Sequence, residues 1–209
     1  FIAALGMGGE WSLGVALVME CWPRDKRPLM AGVIGAAANI GYALIAVIGI
    51  NFAITRDSWR WVMLVGAAPA LLTLLIIFFV PESERWKESV KKGPSRPVRE
   101  IFSAGLVRTT LLAVCFSSVA LVVTWGIVQW IPLWADQMTH GQQPKVKAYI
   151  QLASSIGAIV GCLVAPILGG KFGRRPVFFG LCLSSLLACS FLFRAFQHYS
   201  DAFLLTVGV

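Results

Sequence analysis

One carboxylate stands alone in an apolar run, Gly6-Met7-Gly8-Gly9-Glu10-Trp11-Ser12-Leu13-Gly14, and it is the residue best placed to do chemistry. If the run spans a membrane, an ionisable group at that depth costs at least a few kcal/mol. Such a group faces a partner, a cavity or a transport path more readily than lipid, so Glu10 points to transport. Gly6, Glu10 and Gly14 are spaced by four and share one helix face, where glycine lets a ligand or a neighbouring helix approach the backbone. Two roles stay open for Glu10: a proton or substrate site, or an ion-pair partner in a helix-packing seam.

Other polar residues fall at useful depths. Asn39, in the next apolar run, lies at about the same depth as Glu10, roughly 14–16 Å from one end of its helix. The two together suggest a shared cavity, although Asn39 also sits in a small-residue seam with Gly32, Gly35, Ala38 and Gly41, where it could bond across helices. Further on, Trp125 and Gln129 stand one turn apart, while Gln151, Ser154 and Ser155 begin the following helix. These are candidates for the outer wall of a polar cavity, or for interhelical hydrogen bonds.

Enzyme motifs are missing. Gly6-Met7-Gly8 opens like a dinucleotide loop, but Trp11 takes the place of the third glycine and no strand precedes it. There is no H-E-x-x-H and no G-x-x-x-x-G-K-[ST], and the chain has only two histidines, His140 and His198. The five cysteines form no C-x-x-C pair, and neither a disulfide nor a metal site is expected.

The elements that must position these residues follow from composition. The 209 residues are 57% hydrophobic and 13% charged, about half the charge of a soluble domain. Six apolar stretches reach the roughly 20 residues needed to span a bilayer: 1–19, 29–52, 62–80, 109–134, 148–170 and 177–197, with a seventh begun at 202. Both ends look like cuts through helices, so the chain reads as a fragment. The fold class expected is an all-α, polytopic membrane protein.

Alternate breaks between spans lie on one side. One set holds Arg24, Lys26 and Arg27, seven basic residues from Arg85 to Arg108, and Lys171, Arg174 and Arg175, which together are most of the 18 Lys and Arg. The positive-inside rule puts this set in the cytoplasm. The net charge of +8 is therefore loop charge, and no nucleic-acid partner is expected. Trp59, Trp61, Trp130 and Trp134 fall near the expected interfaces, where indole rings anchor.

Three motifs mark the cytoplasmic ends: Glu20-x-x-Pro23-x-x-x-Arg27, Pro81-Glu82-Ser83-x-Arg85, and Gly173-Arg174-Arg175. In their order and sidedness the chain resembles the major facilitator superfamily, from its fourth helix to the start of its tenth. The Gly-Met-Gly-Gly-Glu-Trp run joined to Glu20-Cys21-Trp22-Pro23 looks most like that family's proton symporters of sialic acid, lactate and other small organic acids. The resemblance implies two helical bundles, with 1–81 the last three helices of the first, 82–108 a cytoplasmic linker and 109–209 the first helices of the second. It further implies a cytoplasmic gate at Glu20, Arg27, Glu82, Arg85, Arg174 and Arg175, and a central cavity reached alternately from each side. No cofactor is implied; the partners are a small-molecule substrate, a proton and the lipid bilayer, in a monomer of the plasma (inner) membrane. Alternatives are a sugar porter or facilitator of the same superfamily, and, in other classes, an ion channel or a membrane-embedded enzyme or sensor. Two departures matter. Gly170 and Pro166 stand where the family's loop between helices eight and nine carries an aspartate and its first glycine. No proline lies between Leu29 and Phe52, where the family's drug/proton antiporters carry one, which favours uptake over efflux.

Overall fold

The computed structural model describes residues 2–52, 54, 58–80, 84–91, 100–103 and 105–208, and among these it contains helices and no strand. In chain order they are α1 (Ile2–Cys21), α2 (Arg27–Asn51), α3 (Trp59–Ala67), α4 (Ala70–Phe79), α5 (Glu84–Lys91) and α6 (Val107–Gly126). After a single 3₁₀ turn at Val128–Trp130 come α7 (Ile131–Met138), α8 (Val146–Phe172), α9 (Arg174–Ala195) and α10 (Asp201–Val207). Five stretches among the described residues are long and apolar enough to cross a membrane: Arg27–Asn51, Trp59–Phe79, Val107–Met138, Val146–Phe172 and Arg174–Ala195. The 20 residues of α1 cover the first expected span, and at 1.5 Å each they reach about 30 Å. Apolar side chains such as Phe78 and Phe79 remain more than three-quarters exposed, as suits surface that meets acyl chains or further helices.

One expected span is interrupted and another loses a turn of α-helical hydrogen bonding. The span placed at 62–80 stays one membrane-length stretch: Pro69 has no N–H and the α-helical bonding lapses between α3 and α4, but Ala68 and Pro69 keep right-handed helical angles. The span placed at 109–134 stops at Gly126, and Ile127 leaves helical geometry at φ −124°, ψ −63°. Gly126 is a weak helix former, and Pro132 has no N–H for a carbonyl one turn back; Pro is tolerated in the first turn of a new helix, where α7 places it. The polar break expected over Lys171–Pro176 is a sharp corner instead. Gly173, at φ +90°, joins α8 directly to α9 in a conformation that side-chain-bearing residues rarely adopt.

The most extensive contact between helices runs along α2 and α8, while α1 leans on α2. A compact apolar core gathers where α7, α8, α9 and α10 meet, built on Ile131, Ala135, Val146, Ile150, Leu192 and Phe203. Phe203 is fully buried, with the rings of Trp134, Phe196 and Tyr199 around it at 5.4, 5.6 and 6.1 Å. Trp134 is thus half-buried among aromatic rings, whereas Trp130 stays exposed. The Lys147 ammonium meets the Asp136 carboxylate at 2.9 Å and ties α7 to α8. Burial, then the nearby Asp201 and Tyr149, pushes the Tyr199 phenol above its usual range.

Candidate functional site

Glu10 lies near the middle of α1. Its neighbour Trp11 docks this helix on α2, for the edge of its indole lies 3.7 Å from where a side chain on Gly35 would begin. One residue earlier is about 100° round the helix, so Glu10 turns away from that contact. Its side chain is exposed, and among the described residues it makes no hydrogen bond or ion pair. Space is also open beside Gly6 and Gly14, where an added methyl group would meet nothing within 4 Å. The Gly6–Glu10–Gly14 face is thus an unobstructed carboxylate-bearing surface.

Asn39 is engaged elsewhere. Its amide donates to the Gly35 carbonyl at 2.9 Å and lies 4.0 Å from the Cys162 sulfur on α8. No hydrogen bond joins it to Glu10, so the structure does not bring the two residues into one polar cluster. The reason is the close seam between α2 and α8. A methyl group on Gly32 would collide with the Cys162 carbonyl and stand 2.9 Å from the Pro166 ring. Pro166 lies four residues after Cys162 and has no N–H to give that carbonyl, which faces α2 without an α-helical donor. In the sequence Cys162 read only as a small apolar residue, and Pro166 only as a departure from the family's loop motif. The signal available was a proline inside a long apolar helix.

Near the other end of α8, three of the expected cavity residues do meet. Gln129, Gln151 and Ser154 line a cavity of about 50 Å³ together with Pro132 and Val207. The Gln151 carbonyl accepts from Ser154 at 3.1 Å and from Ser155 at 2.7 Å, and the Gln151 amide donates to the Ser155 hydroxyl at 3.4 Å. Ser155, only 1% exposed, therefore positions Gln151 and does not itself line the cavity. Trp125 is not part of this group. The break at Ile127 separates it from Gln129, so the two do not share a continuous helix face as expected.

At the ends expected to face the cytoplasm, the Arg27 guanidinium donates to the Trp22 carbonyl at 3.0 Å and satisfies the end of α1. Arg174 and Arg175 open α9 and are exposed. Glu82 lies outside the described residues, and Arg85 falls within α5. Among the described residues no three His, Cys, Asp or Glu side chains are grouped as a metal site.

The described residues thus combine five membrane-length segments, a mid-helix carboxylate on α1 and one small cavity bordered by amide and hydroxyl groups. Comparison with known sequences gives the class. The sequence model of the Major Facilitator Superfamily matches residues 1–209, and the chain belongs to that family. It is 27% identical over 220 residues to the inner membrane metabolite transport protein YgcS of Escherichia coli, covering 93% of this chain and 48% of that protein. It is 25% identical to the sialic acid transporter NanX of E. coli, over 96% of this chain and 49% of NanX. To the 3-(3-hydroxy-phenyl)propionate transporter of E. coli it is 28% identical, over 91% of this chain and 46% of that protein. The chain spans about half the length of these relatives, and no solved structure matches it. With several membrane-length helices, it is a multi-pass integral membrane member of that superfamily.

Proposed function

We propose that the protein takes up a small organic acid together with a proton, by alternating access. Glu10 carries this reading: a carboxylate midway along a membrane-length helix, on an open face between two glycines. The names of relatives give it chemical company, since they include transporters of sialic acid, cis,cis-muconate and gentisate. The described helices place their basic residues near the span ends, leaving none at mid-span to meet a substrate carboxylate. An organic anion entering near Glu10 would then favour the protonated form of its carboxyl, because two adjacent carboxylates resist ionising together. By linkage the bound proton favours the anion equally, which is the coupling a symporter needs. Gln129, Gln151 and Ser154 would contact uncharged oxygens of the substrate.

A facilitator or sugar porter is the second reading, favoured by the neutral amide and hydroxyl lining of the Gln129–Gln151 cavity. Uptake into proteoliposomes of the intact protein separates the two. Accumulation of a labelled carboxylate driven by an inward proton gradient, and abolished by a protonophore, supports symport. Equilibration without accumulation, or preference for a hydroxylated neutral solute, supports the alternative.

A further inference from the structure

The corner between α8 and α9 carries an unused chemistry. Arg174 and Arg175 form no ion pair among the described residues, and Gly170 stands where an acidic partner would be expected from the family resemblance. Beside them lies a cavity of about 290 Å³, lined by Pro28 of α2, Gly169 and Gly170 of α8, and Arg174, Phe178 and Leu181 of α9. Arg174 is the one charged residue in its lining, and the remaining walls are apolar. Leu181 also borders a second cavity of about 340 Å³, which continues past Ser184 and Ala188 to Leu192. These α9 positions recur at three- or four-residue spacing and form a single stripe.

We propose that an anionic phospholipid docks here, its phosphate at Arg174 and an acyl chain laid along the α9 stripe. The charge bias of the loops puts Arg174 at the cytoplasmic leaflet, where anionic lipids attract basic residues. From Arg174 to Leu181 the helix rises about 10 Å, which fits within one leaflet of roughly 15 Å, half the hydrocarbon core. The second cavity carries the same stripe towards the midplane. Charge at one end and mainly apolar walls along the rest, interrupted by the hydroxyls of Ser184, Ser185 and Thr206, suit a lipid, not a soluble anion, which would use only the arginine. Because Pro28 belongs to α2, the lipid would touch both helices of the principal packing seam.

Native mass spectrometry of the intact protein in neutral detergent tests this, with phosphatidylglycerol or phosphatidylcholine of matched chains added at equal concentration. The wild type should retain phosphatidylglycerol about fivefold more than phosphatidylcholine, the ratio expected from one arginine near an anionic headgroup. Arg174→Gln should erase that preference and Arg174→Lys should keep much of it. Gly170→Leu, which fills the groove without removing charge, should lower retention of both lipids, while Lys145→Gln at the opposite end of α8 should change neither. Equal retention of the two lipids by the wild type would overturn the proposal, as would a preference that survives Arg174→Gln or retention unaffected by Gly170→Leu. Displacement of the lipid by millimolar glycerol 3-phosphate would identify a soluble-anion site and overturn it too.

Discussion

The carbonyl oxygen of Cys162 lies directly against Gly32, too close for any side chain to stand between α2 and α8. Pro166 leaves that carbonyl without an α-helical donor, so it is free to take a weak Cα–H contact from the facing helix. The principal helix pair of the structure is therefore held by backbone approaching backbone, the mode that suits helices in lipid, where apolar side chains gain little by meeting one another.

The first prediction follows from that contact. Gly32→Ala must push α2 and α8 apart, an overpacking of the kind that costs about 1–3 kcal/mol. Thermal unfolding in detergent should show a lower midpoint. Gly41→Ala is the control, since a methyl group there meets nothing within 4 Å and alanine is the better helix former. Equal midpoints for the two variants would mean that the seam is looser than described.

Orientation is tested by labelling. Cysteines placed singly at Gln142, between α7 and α8, and at Lys91, at the end of α5, should respond oppositely to an impermeant maleimide in intact cells, on a cysteine-free background. Gln142→Cys should label and Lys91→Cys should not. The reverse pattern would invert the topology drawn from the loop charges.

Much of this architecture was legible in the sequence, because α2, α8 and α9 are uninterrupted apolar runs with basic residues at their ends. The break at Ile127 was not. A run such as Leu121-Val122-Val123-Thr124-Trp125-Gly126-Ile127-Val128 keeps its high hydropathy through the turn, and only Gly126 followed by Pro132 signals the break. The small-residue seam at Gly32 and Gly35 was visible, but its partner was not, since nothing local to α2 specifies which distant helix meets it. Cys162 read as one more small apolar residue for the same reason. For Asn39 the sequence left two roles open, because matched depth on consecutive helices says nothing about rotation; the seam turns its amide towards α8.

Gln151 provides a third prediction. Its carbonyl holds two serine hydroxyls and its side chain borders the small cavity with Gln129. Gln151→Leu should raise the KM for substrate about five- to tenfold, the loss of one hydrogen bond, while the dependence on a proton gradient persists. A variant that loses coupling but keeps its KM would place Gln151 in the proton path instead.

Arg27 closes the end of α1 through the Trp22 carbonyl. Arg27→Ala removes a contact of about 1 kcal/mol, which moves a near-balanced conformational equilibrium about fivefold. Accessibility of cytoplasmic-side cysteines should rise accordingly, with expression unchanged. Unaltered accessibility would argue against a gate at this end.

Proton coupling at Glu10 is tested most directly by uptake in proteoliposomes carrying Glu10→Gln in the intact protein. Glutamine keeps the size and hydrogen bonding of the side chain but cannot exchange a proton. Accumulation of labelled substrate driven by an inward proton gradient should disappear, while exchange of substrate down its own gradient partly survives. Accumulation against the gradient at close to the wild-type rate would contradict the account and reduce Glu10 to a structural residue.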